Sequence, residues 1–151
     1  MSESLWNKGF KAVDVETPRD IIQKQCIILN KMTEGKIIGR IVEYDKRINR
    51  GITLSIKIDP PHHFVNDDVF VFDFFITSRA TPKYKFRICL IEFGISQYPV
   101  LIALDSDIAS EIDIDEQFCI ESEGEFLECI SRILNSEKLY KVITSLLAFN
   151  V

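Results

Sequence analysis

Residues 68–77 read DVFVFDFFIT. Both parities of this run are apolar, so either face of an extended strand through it needs cover. Such a strand belongs inside a sheet, flanked by other strands and packed on both sides. A chain that carries it must therefore supply neighbouring strands and at least one covering layer.

The strands are legible as runs of period two. Lys36–Tyr44 reads as a strand, with Gly39 at a bulge. Ile52, Leu54, Ile56 and Ile58 alternate with Thr53, Ser55, Lys57 and Asp59, which gives one dry and one wet face. YKFRICLIE, YPVLIAL and a short EQFCIE complete the set. The links between them are brief, which favours antiparallel pairing, because parallel neighbours need crossovers of a dozen or more residues.

The covering layer is legible as period 3.6. In TPRDIIQKQCIILNKMTEGK, Thr17 caps, Pro18 suits the first helical position and Asp20 complements the helix dipole. Ile21, Ile22, Cys26, Leu29 and Met32 form the apolar face, and Gly35 ends the helix, which is expected over about 18–33. Near the C-terminus, Ser122 and Glu125 have capping-box spacing ahead of Phe126, Leu127, Ile130, Ile133 and Leu134. Ser136 caps a last helix with Leu139, Val142, Ile143, Leu146 and Leu147 on one side. The expected fold is α+β: an N-terminal helix, a mainly antiparallel sheet of five to six strands, and two C-terminal helices packed on the sheet. At 151 residues, 46% apolar and 27% charged, the chain is expected to be one domain, 1–151, with a core large enough to fold without disulfide or metal.

Cys26, Cys89, Cys119 and Cys129 form no C-x-x-C pair and lie in or beside apolar runs, where free thiols behave as small hydrophobes. MSESLWNKGFKAVDVE has no apolar core of a signal peptide, and no charge-free stretch reaches the roughly 20 residues of a membrane helix. The expectation is a reduced, cytoplasmic protein with no membrane partner and no cofactor.

Catalytic signatures are sparse. There is no G-x-S-x-G, no glycine-rich phosphate loop and no Cys-His pairing motif. His62 and His63, the only histidines, stand in DPPHHFVNDD near Asp59, Asp67 and Asp68, without the fixed spacing of a metal motif; a polar loop stiffened by Pro60 and Pro61 is the plainer account. Asp73 interrupts the apolar run at 68–77. A cross-strand pair with Lys85 or Arg87 would make it structural; without one its pKa would rise and it could serve as an acid. A small metal-dependent hydrolase using the Asp59–Asp73 region is one alternative function on these grounds. A structural or oligomerisation domain, with the apolar last helix as a homodimer seam, is another.

Charge is distributed unevenly. Residues 88–131 contain eleven Asp and Glu and not one Lys or Arg, within a net charge of −5. Six of the twelve residues in DSDIASEIDIDE, 105–116, are carboxylates. Counted as an EF-hand from Asp105, the segment fails at position 5, where Ala109 has no side-chain oxygen, and at position 6, where Ser110 replaces the turn glycine. Net negative charge repels phosphate, so direct nucleic-acid binding is disfavoured, although Lys46, Arg47 and Arg50, and Arg79, Lys83, Lys85 and Arg87, form two local basic groups. A field of this sign speeds encounter with cationic proteins. Proteins that grip phosphate present such a basic surface. The leading expectation is a non-enzymatic protein-binding module of bacterial immunity or antitoxin type that neutralises a basic partner such as a nuclease toxin. Its docking residues would be Asp105, Asp107, Glu111, Asp113, Asp115 and Glu116, extended by Glu121, Glu123 and Glu125.

Overall fold

The computed structural model describes residues 3–6, 9–12, 16–44 and 69–150. Helix α1, Pro18–Met32, precedes strand β1, Ile37–Glu43. Strands β2 (Val69–Ser78), β3 (Phe86–Gly94) and β4 (Val100–Leu104) follow, then a short helix α2 (Ser106–Glu111) and strand β5 (Gln117–Ile120). Helices α3 (Glu123–Leu134) and α4 (Glu137–Ala148) close the chain. The five strands lie in the order β1-β2-β3-β4-β5, every neighbouring pair antiparallel. The architecture is the α+β arrangement expected from the sequence, with strand order equal to chain order. The expected strand at 52–58, the His62-His63 loop and the basic turn at 46–50 lie outside the described residues.

One face of the sheet carries the main core. Ile37, Ile41, Phe74, Ile76, Ile91, Phe93, Ile102 and Leu104 from the strands pack with Ile21, Ile22 and Cys26 of α1, Phe126, Ile130 and Ile133 of α3, and Leu139 and Leu146 of α4. Val142, Ile143 and Leu147 of the α4 stripe pack against this core while remaining half-buried. Leu90 and Ala103, each one residue along from a member of that core, point to the opposite face and form a second small cluster with Tyr44.

Helix α1 begins as its sequence demands. The Thr17 Oγ1 accepts the Asp20 N–H at 3.0 Å. It ends where Gly35, at φ +77°, lets its N–H reach back to the Asn30 carbonyl at 2.8 Å. Gly39 has a different role from the expected bulge. The β1–β2 register runs unbroken through the Gly39–Ile76 pair. A Cβ at Gly39 would lie 3.0 Å from the Cys26 Sγ and 3.3 Å from its Cα, so the missing side chain is what lets α1 seat against β1. Gly39→Val should therefore destabilise the fold by about 1–3 kcal/mol through overpacking. A urea midpoint equal to that of the parent chain would show that α1 is not held at that distance.

The bulge lies instead in β3. Asp73 pairs with Leu90 and Phe74 with Cys89, but Phe75 pairs with Arg87, which leaves Ile88 as an extra residue. Arg87 and Leu90 are three apart and would face opposite sides of a regular strand. The extra residue restores their parity, so Arg87 shares the Asp73 face while Ile88 and Cys89 both enter the main core.

Candidate functional site

Asp73 is 1% exposed on the face away from the helices. The bulge delivers its partners. Arg87 Nε donates to Oδ1 at 2.9 Å, Arg87 Nη2 donates to Oδ2 at 2.8 Å, and Lys85 Nζ donates to Oδ2 at 2.7 Å. The Asp73 bond raises the already high pKa of the Arg87 guanidinium. Lys85 also lies over the Phe75 ring at 4.2 Å, and Arg87 over the Tyr44 ring at 5.7 Å. Two of the four basic residues near the β2–β3 hairpin are therefore committed to one buried carboxylate. A carboxylate held by three charge-assisted hydrogen bonds anchors β2 to β3. Among the described residues, no group of three or more His, Cys, Asp or Glu side chains is placed to hold a metal ion.

The acidic segment is not a solvated connector. Residues 106–111 form helix α2, with the Asp105 Oδ2 accepting the Ile108 N–H at 3.2 Å as its N-cap. Ile108 and Ala109 are buried, and Ile112 and Ile114 pack against the same core. The alternation in IDIDE thus pulls isoleucines inward and turns carboxylates outward. Calcium-loop geometry is absent, because Asp105 is directed at its own helix.

The nine acidic residues singled out by the sequence separate into two groups. Asp105 is 6% exposed and leaves the docking patch as a helix cap. Asp107 pairs with Lys138, whose ammonium it holds above its ordinary pKa. Glu111 reaches across to α4, where its carboxylate accepts the N–H groups of Glu137 at 2.7 Å and Lys138 at 3.1 Å. A carboxylate at a helix N-terminus satisfies orphan donors and complements the dipole. These three residues hold α2 to the rest of the fold.

The other six converge around β5. Asp113, Asp115, Glu116, Glu121 and Glu125 are exposed and Glu123 is half-buried. Among the described residues, none of the six lies within salt-bridge distance of a basic side chain. Glu125 instead accepts the Glu121 N–H at 3.3 Å, while the Ser122 Oγ caps α3 by accepting the Glu125 N–H at 3.3 Å. Asp113, Asp115, Glu125 and Glu128 rim an open concavity of about 640 Å³ floored by Ile114, Phe118, Ile120 and Cys129. Among the described residues, Arg132 is the one base on its rim, and its Nη2 donates to the Ile112 carbonyl at 2.6 Å. Glu128 and Phe118 are the site residues that sequence reading missed. Phe118 stands in EQFCIE, where nothing local distinguishes a core aromatic from one at a rim.

The cysteines report on this face. Cys119 is exposed on edge strand β5, whereas burial raises Cys26 and Cys129 to about 11 and pushes the enclosed Cys89 thiol up further. Burial, reinforced by Glu121, also raises Cys119. Iodoacetamide at pH 8 should therefore add one group to the folded chain, at Cys119, with a rate that climbs as pH rises towards that thiol's raised pKa. Intact-mass measurement showing two or more adducts before unfolding would contradict the enclosure of Cys26 and Cys89 and the raised pKa of half-buried Cys129.

No family model, no curated protein and no solved structure matches this chain. Among the described residues, no helix is long and apolar enough to cross a membrane.

Proposed function

We propose that the chain is a protein-binding module that docks a basic partner on the β5–α3 face, in the manner of an immunity or antitoxin protein occupying the phosphate-gripping surface of a nuclease. One observation carries this reading. Asp113, Asp115 and Glu125, unpaired with any base among the described residues, rim a concavity with an apolar floor together with Glu128, and Glu116, Glu121 and Glu123 flank the same strand. Interfaces that hold tightly combine a polar rim with apolar anchors, and charge of one sign steers the encounter. Ile114 and Phe118 supply the anchor and the carboxylates supply the steering. A nuclease groove offers the matching positive potential.

The test uses the chain immobilised at low salt against an extract of its source cells, beside the triple variant Asp113→Lys, Asp115→Lys, Glu116→Lys. The expected result is a basic, nucleic-acid-cleaving protein retained by the parent chain, released by salt and lost with the variant. Its cleavage activity should fall to background at one equivalent of added chain. Equal retention by the two baits, or undiminished cleavage in the presence of excess chain, would sink the proposal.

A further inference from the structure

An apolar cleft of about 390 Å³ runs between α1 and the α3–α4 pair. Ile21, Cys26, Phe74, Ile76, Ile88 and Ile130 form its depths, and none of its lining side chains is charged. Its lips continue outward as exposed apolar surface: Ile28 and Met32 on α1, and Leu127 on α3. A small ligand confined to the cleft would leave those lips wet. A peptide segment with several large apolar side chains would cover both.

The chain carries such a segment. Ahead of α1, Leu5 is 99% exposed, Trp6 78% and Phe10 75%, with the Trp6 and Phe10 rings edge-to-face at 6.4 Å. Among the described residues, these three large apolar side chains are not part of the packed core. Surfaces of this kind mark interaction sites. Their number also suits the cleft, because a dry cavity of about 150 Å³ takes one benzene-sized group.

The arm and the cleft are unpaired within one chain, although the tether would permit pairing. From Phe10 to Pro18 the backbone can span at most roughly 29 Å, and α1 is about 22 Å long. Leu5, Trp6 and Phe10 could double back along α1, yet all three side chains stay exposed. The geometry points to a second copy: the Leu5–Phe10 arm of each protomer occupies the α1–α3 cleft of the other, in a reciprocal two-fold exchange that closes at a dimer. Leu139 and Ile143 of the α4 stripe form part of the cleft wall, and the cleft shares no lining residue with the acidic concavity.

Trp6 is the only tryptophan, which makes the test direct. Sedimentation and Trp6 emission are followed together over a dilution series of the full chain. The expected result is a dimer with blue-shifted emission that moves to the solvent-exposed wavelength as the dimer dissociates. Trp6→Ala should raise the dissociation constant roughly ten-fold or more. Leu127→Glu, at an exposed lip, should give a monomer with solvent-like emission at every concentration and an unchanged helical circular dichroism signal. A concentration-independent blue shift in a monomer would place the arm in its own cleft and overturn the exchange. Solvent-like emission throughout, or a dimer indifferent to Leu127→Glu, would overturn it as well.

Discussion

Asp73→Ala is expected to destabilise the protein by about 3–5 kcal/mol, the largest effect of any single substitution away from the apolar core. The magnitude follows from what is left behind. The Arg87 side chain is 11% exposed and Lys85 is partly covered, so removing the carboxylate strands one nearly buried cation and one half-solvated one. The attraction between an exposed pair would be worth about 0–1 kcal/mol. The difference is the desolvation already imposed on Arg87. Asp73→Asn keeps the shape and one acceptor oxygen, and should fall between the two. Replacing all three residues, as Asp73→Leu with Lys85→Met and Arg87→Met, should recover most of the loss because no unmatched charge remains. Urea unfolding of the four chains measures this. A loss below about 1 kcal/mol in Asp73→Ala would mean that water reaches Arg87 and that the buried anchor is not one.

That anchor also shows where sequence reasoning stops. Asp73 was recognisable as a polar interruption of an apolar strand, and Lys85 and Arg87 as its candidate partners, because residue type and alternation are local. Delivery of Arg87 depends on the extra residue at Ile88, and nothing in FRICLIEFG distinguishes a bulged isoleucine from a regular one. The caps at Thr17, Ser122 and Ser136 were legible for the opposite reason, since each acts within three residues of itself. Helix α2 was not. Six residues are too few for a periodic signal and too few to be helical unaided. The helix exists because Ile108 and Ala109 are buried and because Glu111 bonds to backbone 26 residues away. The acidic composition of 105–125 was plain in the sequence, but the division between carboxylates that brace the fold and those that face outward depends on where α4 returns.

The division makes a second large effect specific. Reversing Asp113, Asp115 and Glu116 to lysine changes the local charge by six units at and beside the rim of the β5–α3 concavity while leaving the described hydrogen bonds of α2 and α4 intact. Steering by a field of one sign multiplies association rates by about 10–1000-fold. The triple reversal should therefore slow association with a basic partner by roughly 10- to 100-fold, with a smaller change in dissociation, and the effect should shrink as salt shortens the screening length from about 10 Å at 0.1 M to about 3 Å at 1 M. Asp107→Lys and Glu111→Lys provide the internal contrast. They face Lys138 and the N-terminus of α4, so their main expected consequence is a lower unfolding midpoint, not a slower encounter. Stopped-flow association rates at several salt concentrations, set beside urea midpoints for all variants, separate the two. If Asp107→Lys slowed association as much as the triple reversal did, the carboxylates around β5 would hold no privileged place in docking, and the net charge of the whole molecule would be the better account.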